Sequence, residues 1–73
     1  MNNDDNFSKA LGQWLRGKRE KAGYSQEEIG HMLGVSKPMV SYYESGQSAI
    51  SAKAFVRFCK IVNANPNDII NLL

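Results

Sequence analysis

The stretch SQEEIGHMLGVSKPMVSYYESG, from Ser25 to Gly46, has room for two very short helices and little else. Ser25 is an N-cap residue and Glu28 stands at N3, the spacing of a capping box in which side chain and backbone satisfy each other's free amides. Ile29, Met32 and Leu33 supply apolar positions, and Gly34 stops the segment after about two turns. A second helix is expected after Val35, with Ser36 as its cap, an end near Glu44–Ser45 and Gly46 behind it. Pro38 at the front of that helix is no breaker, because the first turn has no helical partner for the amide that proline lacks. If Pro38 is at N2, Ser36 must cap through the amide of Met39. Lys37 precedes a proline and is pushed away from helical geometry, which would start the helix one residue later.

The rest of the chain is also helical in pattern, with no strand-like alternation and no hairpin dipeptide. Phe7, Leu11, Trp14, Leu15 and Ala22 fall on one side of a helix from about Phe7 to Ala22, ended by Gly23. Lys18 lies inside that stripe, where its stem can pack while its ammonium reaches water. QSAIS reads as a loop. Ser51 then opens a helix with Phe55, Phe58, Cys59 and Val62 at core spacing, and Asn63 can take the left-handed residue that ends it. Asn65 caps a short last helix, PNDIINLL, with Pro66 at N1. With 73 residues, one domain is expected: a polar arm over residues 1–6 and a single all-α, five-helix domain over residues 7–73.

Composition narrows the function mainly by exclusion. The formal charge is +2 and the pI about 8.9, too mildly basic to identify a ligand. The cations are grouped, however: RGKREK spans Arg16 to Lys21, and Lys53, Arg57 and Lys60 stand at i, i+4, i+7 on one helical face. Such runs are either solvated surface or a nucleic-acid footprint. Cys59 is the only cysteine, so no internal disulfide forms; it fits a reducing cytosol and reads as a small buried hydrophobe. No apolar run approaches the ~18 residues of a membrane span, so a soluble cytoplasmic protein is expected. One cysteine and one histidine, His31, cannot make a zinc site. Phosphate-loop and dinucleotide glycine motifs are missing. The sequence therefore predicts no catalytic residue, metal or cofactor.

The window Gln26–Ser45 resembles the helix-turn-helix of the Cro/CI-type (XRE-type) repressor family. The resemblance rests on apolar Ile29, Leu33, Val35, Val40 and Tyr43, on Gly30 where the helices cross, on Gly34 in the turn, on Gln26 in front and on ESG behind. LRGKREKAGYSQEEI and NANPNDIINLL extend it to about Leu11–Leu73. It implies a lambda-repressor-like domain whose third helix lies in the DNA major groove with its N-terminal end at the base edges. At about 100° per residue, Val40 and Tyr43 face the core, and Pro38, Ser41, Tyr42 and Ser45 face outward. Lys37, Pro38, Ser41 and Tyr42 are then the expected base-reading residues; Lys37 suits a guanine edge or a phosphate. Gln26, Ser36, Ser45, Gln47 and Arg16 are expected at the phosphates, Gln26 also bracing the recognition helix. Arg19 and Glu44 are expected to form a partly buried structural ion pair.

The chain departs from the family pattern at Lys18, Trp14 and Tyr43; the first two suggest altered packing or a partner surface. The resemblance implies a sequence-specific double-stranded DNA-binding regulator, a repressor acting as a homodimer on a pseudo-palindrome. Ile50, Ile70, Leu72 and Leu73 are candidate dimer contacts, since the sequence as read offers no separate oligomerisation domain. Two alternatives remain open: an antitoxin or restriction-modification controller that binds DNA together with a protein partner, and an interaction module that does not bind DNA.

Overall fold

Caps and left-handed stops divide the chain into helices. The computed structural model describes the backbone of residues 3–73 and side chains from residue 6 onward. It contains α1 (Asn3–Ala22), α2 (Gln26–Leu33), α3 (Lys37–Ser45), α4 (Ala52–Val62) and a C-terminal 3-10 helix (Pro66–Leu72). No strand occurs among the described residues. Of the expected N-terminal arm, residues 1–2 lie outside the described residues, and residues 3–6 form the first turn of α1.

The local chemistry follows the sequence closely. The Ser25 hydroxyl accepts from the Glu28 amide at 3.0 Å and the Glu28 carboxylate accepts from the Ser25 amide at 2.8 Å. The bond from the Ser25 amide, helped by the nearby Ser25 side chain, holds the Glu28 carboxyl below its ordinary value. Gly34 and Gly46, with φ of 76° and 83°, end α2 and α3, and Asn63 at 58° ends α4. Helix α3 begins at Lys37 despite the following proline. Because Pro38 carries no amide, Ser36 caps through Met39, 3.2 Å away. The last segment winds as 3-10, with the Asp68 amide bonding the Asn65 carbonyl three residues back.

Leu15, Ile29, Leu33, Val40, Phe58 and Cys59 form the buried centre. Each large side chain buried this way contributes about 1.5–3 kcal/mol. Burial also pushes the Cys59 thiol up, consistent with its packing as a hydrophobe. Tyr43 and Ile50 pack against this centre from the edge. Ala22, expected on the apolar stripe, is exposed, in the last turn of α1 at the mouth of a groove shared with Val62 and Asn63. The unusual Trp14 and Lys18 account for each other: the Trp14 ring stacks at a tilt on Phe55 and Phe58, and the Lys18 ammonium lies 5.7 Å from its centroid.

Helix α1 packs chiefly against α3, and the closest approach is at Gly12. A methyl there would land on the Glu44 carbonyl oxygen and 2.7 Å from that of Tyr43. Gly17, five residues on in the same helix, would meet nothing within 4 Å. The same substitution should therefore have opposite signs at the two sites. Gly17→Ala should stabilise by about 0.5–1 kcal/mol through backbone entropy. Gly12→Ala should destabilise by about 1–3 kcal/mol through overpacking. Urea unfolding measures both, and a Gly12→Ala variant as stable as Gly17→Ala would mean that the helices do not cross there.

Candidate nucleic-acid interface

A buried polar cluster lies behind α3. The side chains of Arg19 on α1 and Glu44 on α3 are only 9% and 6% exposed. Arg19 Nε donates to Glu44 Oε2 at 2.6 Å and Nη2 donates to Oε1 at 3.1 Å, a two-bonded fork. Arg19 Nη1 donates to the Tyr24 carbonyl at 2.8 Å, and Gln26 Nε2 donates to Glu44 Oε1 at 3.0 Å. The hydrogen bond to Glu44, aided by the charges of Glu44 and Glu20, raises the Arg19 pKa against the opposing effect of burial. One carboxylate thus joins α1, the front of α2 and the end of α3, and Arg19 adds the α1–α2 turn. The Arg19–Glu44 ion pair is present, and Gln26 braces α3 by bonding the same carboxylate.

The outer side of α3 has a different character. Lys37, Pro38 and Ser41 are exposed, and Tyr42 is 45% exposed while Tyr43 packs inward. The spacing Pro38, Ser41/Tyr42, Ser45 places these residues along one helical face. Met39 is half-buried at the margin of the core. This is the separation of the two tyrosines that the helical period predicts.

The expected phosphate contacts divide. Ser36 is exposed; its oxygen accepts from Met39, which leaves its own proton for a phosphate. Gln26 keeps one amide hydrogen beyond its bond to Glu44. The Gln47 side chain is exposed, while its backbone amide bonds the Tyr42 carbonyl at 3.0 Å. The Ser45 hydroxyl donates to that same carbonyl at 3.2 Å and retains only acceptor capacity. Arg16 is not gathered to α2 or α3 either; it pairs with Glu20 on α1 at 3.3 Å, an exposed pair of little energetic weight.

Sequence reasoning missed Gly12, although a glycine inside a helix costs about 1 kcal/mol relative to alanine and so signals a close approach. It also missed the Tyr24 carbonyl as an anchor for Arg19, which no side-chain pattern reveals.

A short helix braced from behind by a buried fork, with its front end and outer face exposed, defines a helix-turn-helix DNA-binding domain. The helix-turn-helix family model matches residues 10–69, and the chain belongs to this XRE-type family of transcriptional regulators, which are DNA-binding proteins rather than enzymes. A candidate helix-turn-helix-type transcriptional regulatory protein of Pyrococcus furiosus is 42% identical over 55 residues, 75% of this chain and 18% of that protein. One of Thermococcus kodakarensis is 39% identical over 62 residues, 81% of this chain and 20% of that protein. The chain thus spans about a fifth of the length of the curated relatives it matches. Among solved structures, the clp gene regulator ClgR of C. glutamicum matches with a TM-score of 0.79 and 26% identity, covering 90% of this chain and 86% of that one. The fold is also that of the restriction-modification controller protein C.AhdI of Aeromonas hydrophila (TM-score 0.80, 23% identity, 94% and 99% covered). It is likewise that of the P22 c2 repressor, solved with a synthetic operator (TM-score 0.73, 24% identity, 81% and 89% covered). Among the described residues, no helix is long and apolar enough to cross a membrane, and no group of side chains could hold a metal ion.

The brace makes a stability prediction. Arg19→Ala strands a buried carboxylate and should cost about 3–5 kcal/mol, whereas Arg19→Met combined with Glu44→Leu should recover most of that loss. Urea unfolding of both variants tests this; an Arg19→Ala variant as stable as wild type would contradict a buried pair.

Proposed function

We propose that the protein is a sequence-specific double-stranded DNA-binding regulator, a repressor acting in the cytoplasm as a homodimer on a pseudo-palindromic operator. The observation that carries this reading is the exposed front and outer face of α3, with Lys37, Pro38, Ser41 and Tyr42 outward while Glu44 on the same helix is held from behind. Among the described residues, no hydrogen bond engages the side chains of Lys37, Ser41 or Tyr42, so their polar groups remain available to base edges. Ser36, Gln26 and Gln47 flank this face and set its register on the phosphates. Ser45, its proton already donated, and Arg16, tied to Glu20, are the weaker phosphate contacts.

One helix of this length reads only a few base pairs, so two copies are needed, with half-sites about 34–36 Å apart. Of the four candidate dimer contacts, Ile70 and Leu73 are 65% and 90% exposed and remain available, whereas Ile50 and Leu72 are half-buried and belong more to the core. A partner-protein surface at Trp14 gains no support, because Phe55, Phe58 and Lys18 already occupy its ring.

Selection of bound sequences from random duplex DNA should return a pseudo-palindrome. On that site, Lys37→Ala and Tyr42→Ala should each cost about 1–3 kcal/mol and relax base preference, whereas Gln26→Ala should weaken selected and random duplexes alike. Recovery of no consensus, or unchanged affinity for both α3 variants, would refute the reading face.

A further inference from the structure

The proposed reading face carries little positive charge of its own. In α3, Lys37 is the only cation, and Glu44 is neutralised by Arg19. The first turn of α2 adds Glu27 and Glu28, which repel phosphate. Arg16, the remaining cation assigned to the phosphates, is paired with Glu20. Duplex binding by such a face needs cations from elsewhere, because neutralising phosphates and releasing their counterions supplies much of the affinity.

Helix α4 carries those cations. Its sequence AKAFVRFCKIV has three basic residues and no acid, and Lys53, Arg57 and Lys60 are all exposed. None of the three is in an ion pair among the described residues. The first two also have a defined place. Lys53 and Arg57 line a groove of about 220 Å³ together with Val35, Ser51 and Ala54. Val35 immediately precedes Ser36, the cap of α3. The groove, backed by Leu33 and Tyr43, therefore lies between α4 and the turn that leads into α3, next to the end of that helix assigned to the major groove.

We infer that Lys53 and Arg57 form a phosphate-binding seat for the DNA strand flanking the half-site read by α3. This rests on the DNA-binding reading above and deepens it. The seat recognises the backbone and not the bases, so it sets affinity and salt dependence without setting sequence preference. An acidic protein surface would also be attracted to two exposed cations, but the groove's position beside Val35 and Ser36 favours the strand that the reading face already engages.

The test is the salt dependence of binding to the selected operator, for wild type and for Lys53→Gln/Arg57→Gln. Gln keeps helix propensity near that of Lys and Arg, and circular dichroism verifies the fold. The magnitude of the slope of log Kobs against log salt should fall by about 0.9 for each cation removed. The base preference returned by selection should stay that of wild type, and Arg57→Lys, which keeps the charge, should keep the wild-type slope. A double variant with the wild-type slope would overturn the seat while leaving the α3 reading intact, and would assign these cations to solvent or to a protein partner. A changed base preference would overturn it as well, by making these residues readers. Absence of any salt-dependent duplex binding by wild type would remove the DNA reading and the seat together.

Discussion

The carboxylate of Glu44 organises this small domain. It sits at the end of α3 with a side chain only 6% exposed, and it receives donors from both flanking helices: Arg19 on α1 and Gln26 on α2. A buried charge is tolerated only when it is paired and its lone pairs are occupied. Rotation or sliding of α3 would therefore break several charge-assisted bonds at once. Gly12 makes this possible from the other side, since any side chain there would push α1 off the backbone of Tyr43 and Glu44 and lengthen the bonds from Arg19. The apolar centre supplies most of the free energy, but hydrophobic contact is not directional. The fork is directional, and it fixes which face of α3 turns outward.

That division of labour separates stability from recognition along nine residues. Val40, Tyr43 and Glu44 hold α3 in place, and Lys37, Pro38, Ser41 and Tyr42 are left exposed, free for the proposed contact with DNA. Both ends of the helix are pinned, by the Ser36 cap at the front and by the turn bonded to the Tyr42 carbonyl behind. In the proposed reading role, a helix held this way would arrive preorganised, so little ordering cost would offset its contacts. The scarcity of charge on this face is consistent with a domain in which neighbouring elements supply electrostatic attraction while α3 supplies discrimination.

Local chemistry was legible in the sequence and tertiary chemistry much less so. The capping box at Ser25 and Glu28, the left-handed stops at Gly34, Gly46 and Asn63, and the use of Met39 as the Ser36 partner all follow from residues a few positions apart. The opposite facing of Tyr42 and Tyr43 follows from the helical period alone. The Arg19–Glu44 pair came through family resemblance, because nothing local links residues 25 positions apart. The Gln26 brace likewise came through the resemblance, whereas the contact at Gly12 and the Trp14 stack on Phe55 and Phe58 depend on which helix lies against which. Ser45 is a case in point: its hydroxyl donates to the Tyr42 carbonyl of its own helix, which already accepts from the following turn, a bond that no spacing of side chains reveals.

Everything proposed for α3 depends on which surface of the domain meets DNA. Amide chemical-shift mapping of the labelled protein against a selected duplex measures that surface. The largest shifts should fall on residues 36–42 and 45–47 and at the front of α2, with little change around Trp14, Lys18 and Val62 on the far side of α1 and α4. Shifts centred on the Trp14 side, with α3 unmoved, would contradict the claim that the Glu44 clamp exists to present α3 to the major groove.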